Sequence, residues 1–375
     1  QTTGLFNIST TYLTSYWILM GWLPGVIFSQ YFQKWFQYTF QRSKFLWVIA
    51  LQSAIYLTII LYLKFSSQVN LYNVMLASLA STWIPGFLGF YFSYNMITFK
   101  FDRSLLIKLI IYGGPFMILA FGFNLIFSFD KFILSRNVTP EEFAIYSQSF
   151  RIAAIFAMIV SSFNFAFGPF SLSILNKEEG PGIFKKVKTY YLFFMCLTGL
   201  AFIACGKLII LLLSGPEFIS GYKYLPLFII GYIFYGLYSF AQLGIIHSKK
   251  SYLGLYALTA GLITTIGLDF LLISQMKGFG TGLGYALGIA AMVLMGNALS
   301  QNHLRVESNI LKNSVLIILF IVVSLSFTNF HPIANLYIDS IAKLIIAAVV
   351  FGLLLLSPPF KSDPKNFQQI LSSAE

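Results

Sequence analysis

YLPLFIIGYIFYGLYSFAQLGIIH (residues 224–247) holds no Asp, Glu, Lys or Arg, and it decides the class of the fold. A helix rises 1.5 Å per residue, so these residues extend about 36 Å, more than the roughly 30 Å hydrocarbon core of a bilayer. The run is apolar on all sides rather than along one stripe. Such a helix needs lipid or other helices against every face.

Working outward, comparable runs lie near 9–30, 45–65, 72–95, 105–129, 143–175, 189–213, 252–274, 280–299, 314–329 and 338–357. Of the 375 residues 58% are hydrophobic and 10% charged, and the mean hydropathy is +0.79. A soluble domain is about 45–50% apolar and about 25% charged. The expected fold class is all-α: a polytopic membrane protein with about eleven transmembrane helices. The links are short, the longest about fourteen residues, so no soluble domain fits between them.

The formal charge is +12, from 24 basic and 12 acidic residues. In a soluble protein that balance would suggest nucleic acid. Here the basic residues fall in the links, where membrane topology explains them and no nucleic-acid partner is expected. Alternate links hold Lys34, Arg42, Lys44, Lys100, Arg103, Lys177, Lys185, Lys186, Lys188, Lys249, Lys250, Arg305, Lys312, Lys361 and Lys365, fifteen in all; the opposite set is Lys64, Lys131, Arg136, Lys223 and Lys277, five in all. The bias predicts a cytoplasmic C-terminus and an outward-facing residue 1. The chain starts at Gln1 and shows no signal-peptide pattern. With a cytoplasmic native N-terminus an odd number of helices precedes Gln1, and three would make fourteen.

Four charges interrupt or border the apolar runs: Asp130, Arg151, Lys207 and Asp269. Each costs about 2.5–3.5 kcal/mol at bilayer depth, so it faces water or a partner. From the helical rise, Arg151 lies roughly 12 Å, Lys207 roughly 9 Å and Asp269 roughly 8 Å below the outer ends of their runs, with Asp130 at the outer mouth of the fourth. Two readings compete. In one, Arg151 and Lys207 make a central cavity positive enough to accept an anionic group such as a lipid pyrophosphate. In the other, Arg151 pairs with Asp130 or Asp269 and joins helices. Lys108 and Lys343, near helix ends, are expected to snorkel to the interface without a role.

Asn124, Ser128, Asn164, Gln242 and Asn297 are polar groups at membrane depth, suited to sugar hydroxyls or to bonds between helices. Tyr232, Tyr235 and Tyr238 suit ring stacking or ordinary packing. Gly113, Gly114 and Pro115, with Gly168 and Pro169, are hinge candidates, because proline frees a carbonyl and small residues let backbones approach. Pro24, Pro85 and Pro226 also interrupt apolar runs.

No catalytic pattern emerges. His247, His303 and His331 sit at helix ends or in links without metal-ligand spacing. Cys196 and Cys205 lie in one apolar run and read as packing residues. GFGTGLG (278–284) opens a membrane helix instead of following a strand. Neither an enzyme nor a bound cofactor or metal is expected.

Four stretches carry a family resemblance. IYGGPFMILAFGFNLIFSFDKFIL (111–134) has a glycine–proline opening followed by Ser128, one residue, Asp130 and the basic Lys131. EEFAIYSQSFRIAAIF (141–156), with Ala144 where glycine is usual, NFAFGPF (164–170) and LLLSGPEFISGYKYLPLFIIGYIFYGL (211–237) follow in order. Together they resemble the polysaccharide (O-antigen and lipid-linked oligosaccharide) flippases of the multidrug/oligosaccharidyl-lipid/polysaccharide superfamily. The resemblance implies a MATE-like two-bundle transporter, N-terminally incomplete in this chain. Residues 1–104 would be the last three helices of the N-terminal bundle, 105–300 the six-helix C-terminal bundle, and 301–375 two added helices and a cytoplasmic tail.

It further implies alternating access in the plasma (bacterial inner) membrane, turning a polyprenyl-pyrophosphate-linked glycan toward the outer leaflet while its tail stays in membrane lipid. The cycle would run on H+ or Na+ or on the membrane potential, with polysaccharide polymerase and chain-length proteins as partners. Asp130 and Lys131 match the family's acidic–basic pair, whereas Arg151 falls where the family varies. Rival readings are a cation-coupled multidrug exporter of the same fold, which would favour acidic cavity residues, and a membrane-embedded polysaccharide polymerase or acyltransferase. A polymerase would want a sizeable outer loop and an acyltransferase an embedded His. A purely structural subunit sits poorly with the buried charges.

Overall fold

The computed structural model of the protein describes residues 13–96, 101–305, 309–329 and 335–356, and every regular element among them is helical. Residues 9–12 of the first expected span, Lys100, His331 and the tail with Lys361 and Lys365 lie outside the described residues.

The helices are α1 (Leu13–Tyr38), α2 (Arg42–Phe65), α3 (Leu71–Ser93), α4 (Arg103–Leu134), α5 (Pro140–Ile174), α6 (Gly180–Ala204), α7 (Gly206–Leu213), α8 (Leu225–Ala241), α9 (Leu243–His247), α10 (Leu253–Gln301), α11 (Ile310–Asn329) and α12 (Leu336–Leu356). Among the described residues nine helices, α8 counted with its flanking turns, are long and apolar enough to cross a membrane. α10 alone contains two of the expected spans, and α1 has spanning length at 26 residues. The polytopic, all-helical architecture expected from hydropathy is the one found.

The helix boundaries differ from the expected ones where charged residues lie inside a helix. The run expected at 189–213 belongs to two elements: α6 starts at Gly180, taking in Lys185, Lys186 and Lys188, and ends before Cys205, after which α7 begins. Helical backbone costs nothing extra at a bilayer surface, so lysines can occupy the first turns of a span and extend toward water. Local signals explain other starts. Thr139 caps α5 by accepting from the Glu142 N–H at 3.2 Å, with Pro140 in the first turn and Glu141 and Glu142 against the positive helix end. α4 runs unbroken through Gly113, Gly114 and Pro115.

The chain divides into two compact units, Gln1–Asp102 and Arg103–Glu375. In the first, α1 and α2 both lie against α3. Phe32, Phe36 and Val48 form its core, and Gln33 donates to Gln52 Oε1 at 2.7 Å between α1 and α2. In the second unit α10 packs on α4 and α8, α5 packs on α8, and α11 and α12 lie against α6.

The second unit is organised by a hairpin within α10. Forty-nine residues of straight helix would measure about 74 Å, far more than a bilayer. The helix breaks at Lys277 (φ 46°, ψ −129°) and its two arms run back along each other. Gly280, Gly284 and Gly288 recur every fourth residue on the inner face of the second arm. A Cβ on Gly280 would sit 2.8 Å from Leu272 Cβ, one on Gly284 would collide with the Asp269 carboxylate, and one on Gly288 with the Thr265 hydroxyl. Only residues without a side chain allow arms this close. Gly288→Leu is therefore expected to lower stability by about 1–3 kcal/mol or more through overpacking. The thermal unfolding of the detergent-solubilised protein reads this out; an unshifted transition would contradict the hairpin contact.

Candidate functional site

The close hairpin brings charge into the core of the second unit. α4 ends FDKFIL, and its helical turn points Asp130 inward: the carboxylate is fully buried. Tyr146 of α5 donates its hydroxyl to Asp130 Oδ2 at 2.5 Å, and the Lys131 ammonium lies 3.2 Å from Asp130 Oδ1. Lys131 also hydrogen-bonds the Phe127 carbonyl and sits 3.3 Å above the centre of the Phe150 ring. Tyr146 is held edge-on by Tyr224 and Phe228, with ring centres at 5.3 and 5.1 Å.

Asp269, from the first arm of α10, completes the group. It is fully buried, and neither carboxyl oxygen has a hydrogen-bond partner among the described residues. The neighbouring Thr265 hydroxyl and the Tyr285 hydroxyl are unpartnered as well. Asp269 interacts electrostatically with both Asp130 and Lys131. Lys131 is thus ion-paired with Asp130 and lies within electrostatic reach of a second, unpartnered carboxylate, with the aromatic rings of Phe127, Phe150, Phe228 and Tyr285 packed together nearby. With all three ionised the group carries one net negative charge. A buried charge without full compensation is costly, and binding one small cation or proton removes the imbalance.

Neither a family model nor a curated protein matches the sequence. In fold, the chain is similar to the lipid II flippase MurJ. The solved structure is that flippase in its inward closed conformation, and the likeness has a TM-score of 0.58 at 16% identity, covering 90% of this chain and 71% of that one. The similarity is one of fold.

The sequence-predicted residues distribute as follows. Asp130 and Asp269 come together. Asp130 lies a turn inside the end of α4, buried rather than at an open mouth. Arg151 does not pair with either of them: it is exposed on α5, with no ion pair or hydrogen bond to a described residue, and Lys131 occupies the place beside Asp130. Asn164 accepts from the Ser239 hydroxyl at 2.9 Å and so ties α5 to α8. Asn124 donates to the Ala120 carbonyl of its own helix at 2.8 Å. Tyr232, Tyr235 and Tyr238 turn onto α4, with Phe123 to Tyr235 at 5.2 Å and Phe123 to Tyr238 at 5.5 Å, which is packing. Gly113 and Gly114 face open space, and Gly168 and Pro169 lie within continuous α5.

Lys207 lies on α7, 5.4 Å from the centre of the Tyr222 ring. Lys343 reaches the same ring at 5.3 Å, and it does not snorkel: it is 1% exposed and paired with Asp339 at 2.9 Å. The pair sits at i,i+4 on α12, a spacing visible in the sequence. Tyr146 was not singled out. It lies in the stretch 141–156 that carries part of the resemblance, but nothing in that stretch marks it as the residue that meets a buried acid.

Proposed function

We propose that the chain moves a lipid-linked oligosaccharide across the plasma membrane by alternating access, with the C-terminus cytoplasmic. The observation that carries this reading is the likeness in fold to a lipid II flippase over 90% of the chain. The substrate is a polyprenyl-pyrophosphate glycan whose sugars pass through protein while the tail stays among acyl chains, and the product serves a surface polysaccharide such as O-antigen, capsule or exopolysaccharide. Polymerase and chain-length proteins act downstream of it.

Two features of the chain suit this work. Exposed Arg151, at membrane depth, is a ready partner for the pyrophosphate. The group Asp130–Lys131–Asp269 takes up the coupling cation, H+ or Na+, because one added positive charge balances it. A buried acidic group that lacks one positive charge also favours a second reading, a cation-coupled multidrug exporter of the same fold.

Proteoliposomes carrying a labelled polyprenyl-pyrophosphate glycan separate the two. Movement of label between leaflets, driven by a proton or sodium gradient, is the expected result. Extrusion of organic cations without glycan movement would hand the case to the exporter. Arg151→Ala is expected to lower glycan movement at least tenfold while leaving insertion intact; full activity in that variant would remove Arg151 from the substrate path.

A further inference from the structure

At the other end of α4 from Asp130 the second unit contains a cavity of about 460 Å³. Lys108 of α4 and Lys249 just beyond α9 supply its charge, His247 at the end of α9 adds an imidazole that can donate a hydrogen bond, and Leu109, Leu172 and Ile246 supply apolar wall. No Asp or Glu lines it. Lys108 and Asp130 are separated by about 33 Å of helix, so the cavity opens at the opposite membrane boundary. There the start of α4, the end of α5 and the end of α9 meet, which are the elements next to Arg103, Lys177 and Lys250. Lys249 holds φ 57°, a left-handed conformation that lysine seldom adopts, and its N–H bonds the Ile246 carbonyl at 3.1 Å. The turn therefore keeps a strained lysine at the cavity where glycine or asparagine would relax it.

Cationic groups around an apolar-walled hollow at a membrane boundary call for an amphiphile with an anionic head. We infer that this cavity binds the phosphate of a membrane lipid, with Lys108, His247 and Lys249 at the phosphate and the first carbons of the chain along Leu109, Leu172 and Ile246. Two lipids share that chemistry: the transported polyprenyl pyrophosphate, held before it enters the pathway, and a resident anionic phospholipid. Only the first choice rests on the transport reading above.

The test uses the full chain in detergent and titrates fluorescent undecaprenyl pyrophosphate into the wild type and into Lys108→Gln/Lys249→Gln. Both lysines are exposed, so the double variant should fold, and its unfolding temperature checks this. Removing two lysines that attract a lipid phosphate is expected to weaken binding tenfold or more. Phosphatidylglycerol that displaces the probe at equal concentration identifies the phospholipid; a probe that resists it identifies the transported lipid. Both outcomes support a lipid-phosphate site. Equal affinity in wild type and double variant, or displacement by inorganic pyrophosphate as effective as by lipid, would overturn it. Flipping in proteoliposomes is measured beside binding. Loss of binding with flipping retained would separate this site from transport, and absence of flipping in the wild type would remove the transport reading while the phospholipid arm still decides the site.

Discussion

Asp130→Ala is expected to destabilise the protein by about 3–5 kcal/mol, the cost of leaving a buried ion pair with one member. The substitution removes the acceptor for the Tyr146 hydroxyl and the carboxylate beside the Lys131 ammonium together. Lys131 keeps Asp269 as an electrostatic neighbour and Phe150 beneath it, so the loss falls short of an isolated buried charge. Asp130→Asn, which keeps an acceptor oxygen for Tyr146, should cost less. Adding Lys131→Met to Asp130→Asn should recover part of the loss, since an apolar side chain suits the site once the acid is neutral. Thermal unfolding of the four proteins in one detergent gives the comparison. A transition for Asp130→Ala level with wild type would mean that the ion pair and the tyrosine bond contribute nothing at this position.

The fold was readable because hydrophobic length and charge spacing are one-dimensional quantities. A run such as 314–329 has only one comfortable solvent, and the two arms of α10 were separable at Lys277 because a charge and glycines interrupt them. Rotation about the helix axis is another matter. Helices apolar over most of their length give no stripe from which to tell inside from outside, and in α5 the polar residues near Tyr146 do not single out the face that meets Asp130. The acids Asp130 and Asp269 could be named because each breaks an apolar run. That they come near each other depends on the packing of α4 along the first arm of α10, where Gly122, Gly254 and Gly261 let the two helices approach closely. Arg151 looked like their partner, but adjacent Lys131 reaches Asp130 from the same turn of helix. Lys343 shows the converse: proximity to a helix end suggested snorkelling, yet Asp339 four residues earlier offered a buried partner.

Asp269→Asn should uncouple transport without weakening the fold, and this contrast with Asp130 separates an ion-binding group from a structural one. Asp269 has no hydrogen bond to lose among the described residues, so neutralising it removes an unbalanced charge and leaves Lys131 with one carboxylate instead of two. Stability should be unchanged or raised. The group no longer needs an added cation to be neutral, and the conformations that would differ in that need become equally accessible. A ligand shifts a conformational equilibrium only by its differential affinity for the two states. Without the carboxylate that difference is lost, and an imposed proton or sodium gradient has nothing to act on. Gradient-stimulated glycan movement in proteoliposomes is expected to fall at least tenfold, to the rate seen without a gradient, while binding of the lipid-linked substrate stays within a factor of about two. Stimulation retained at the wild-type level in Asp269→Asn would place coupling elsewhere in the protein. A marked loss of stability would instead mean that Asp269 serves the fold, with its charge already balanced in the native state.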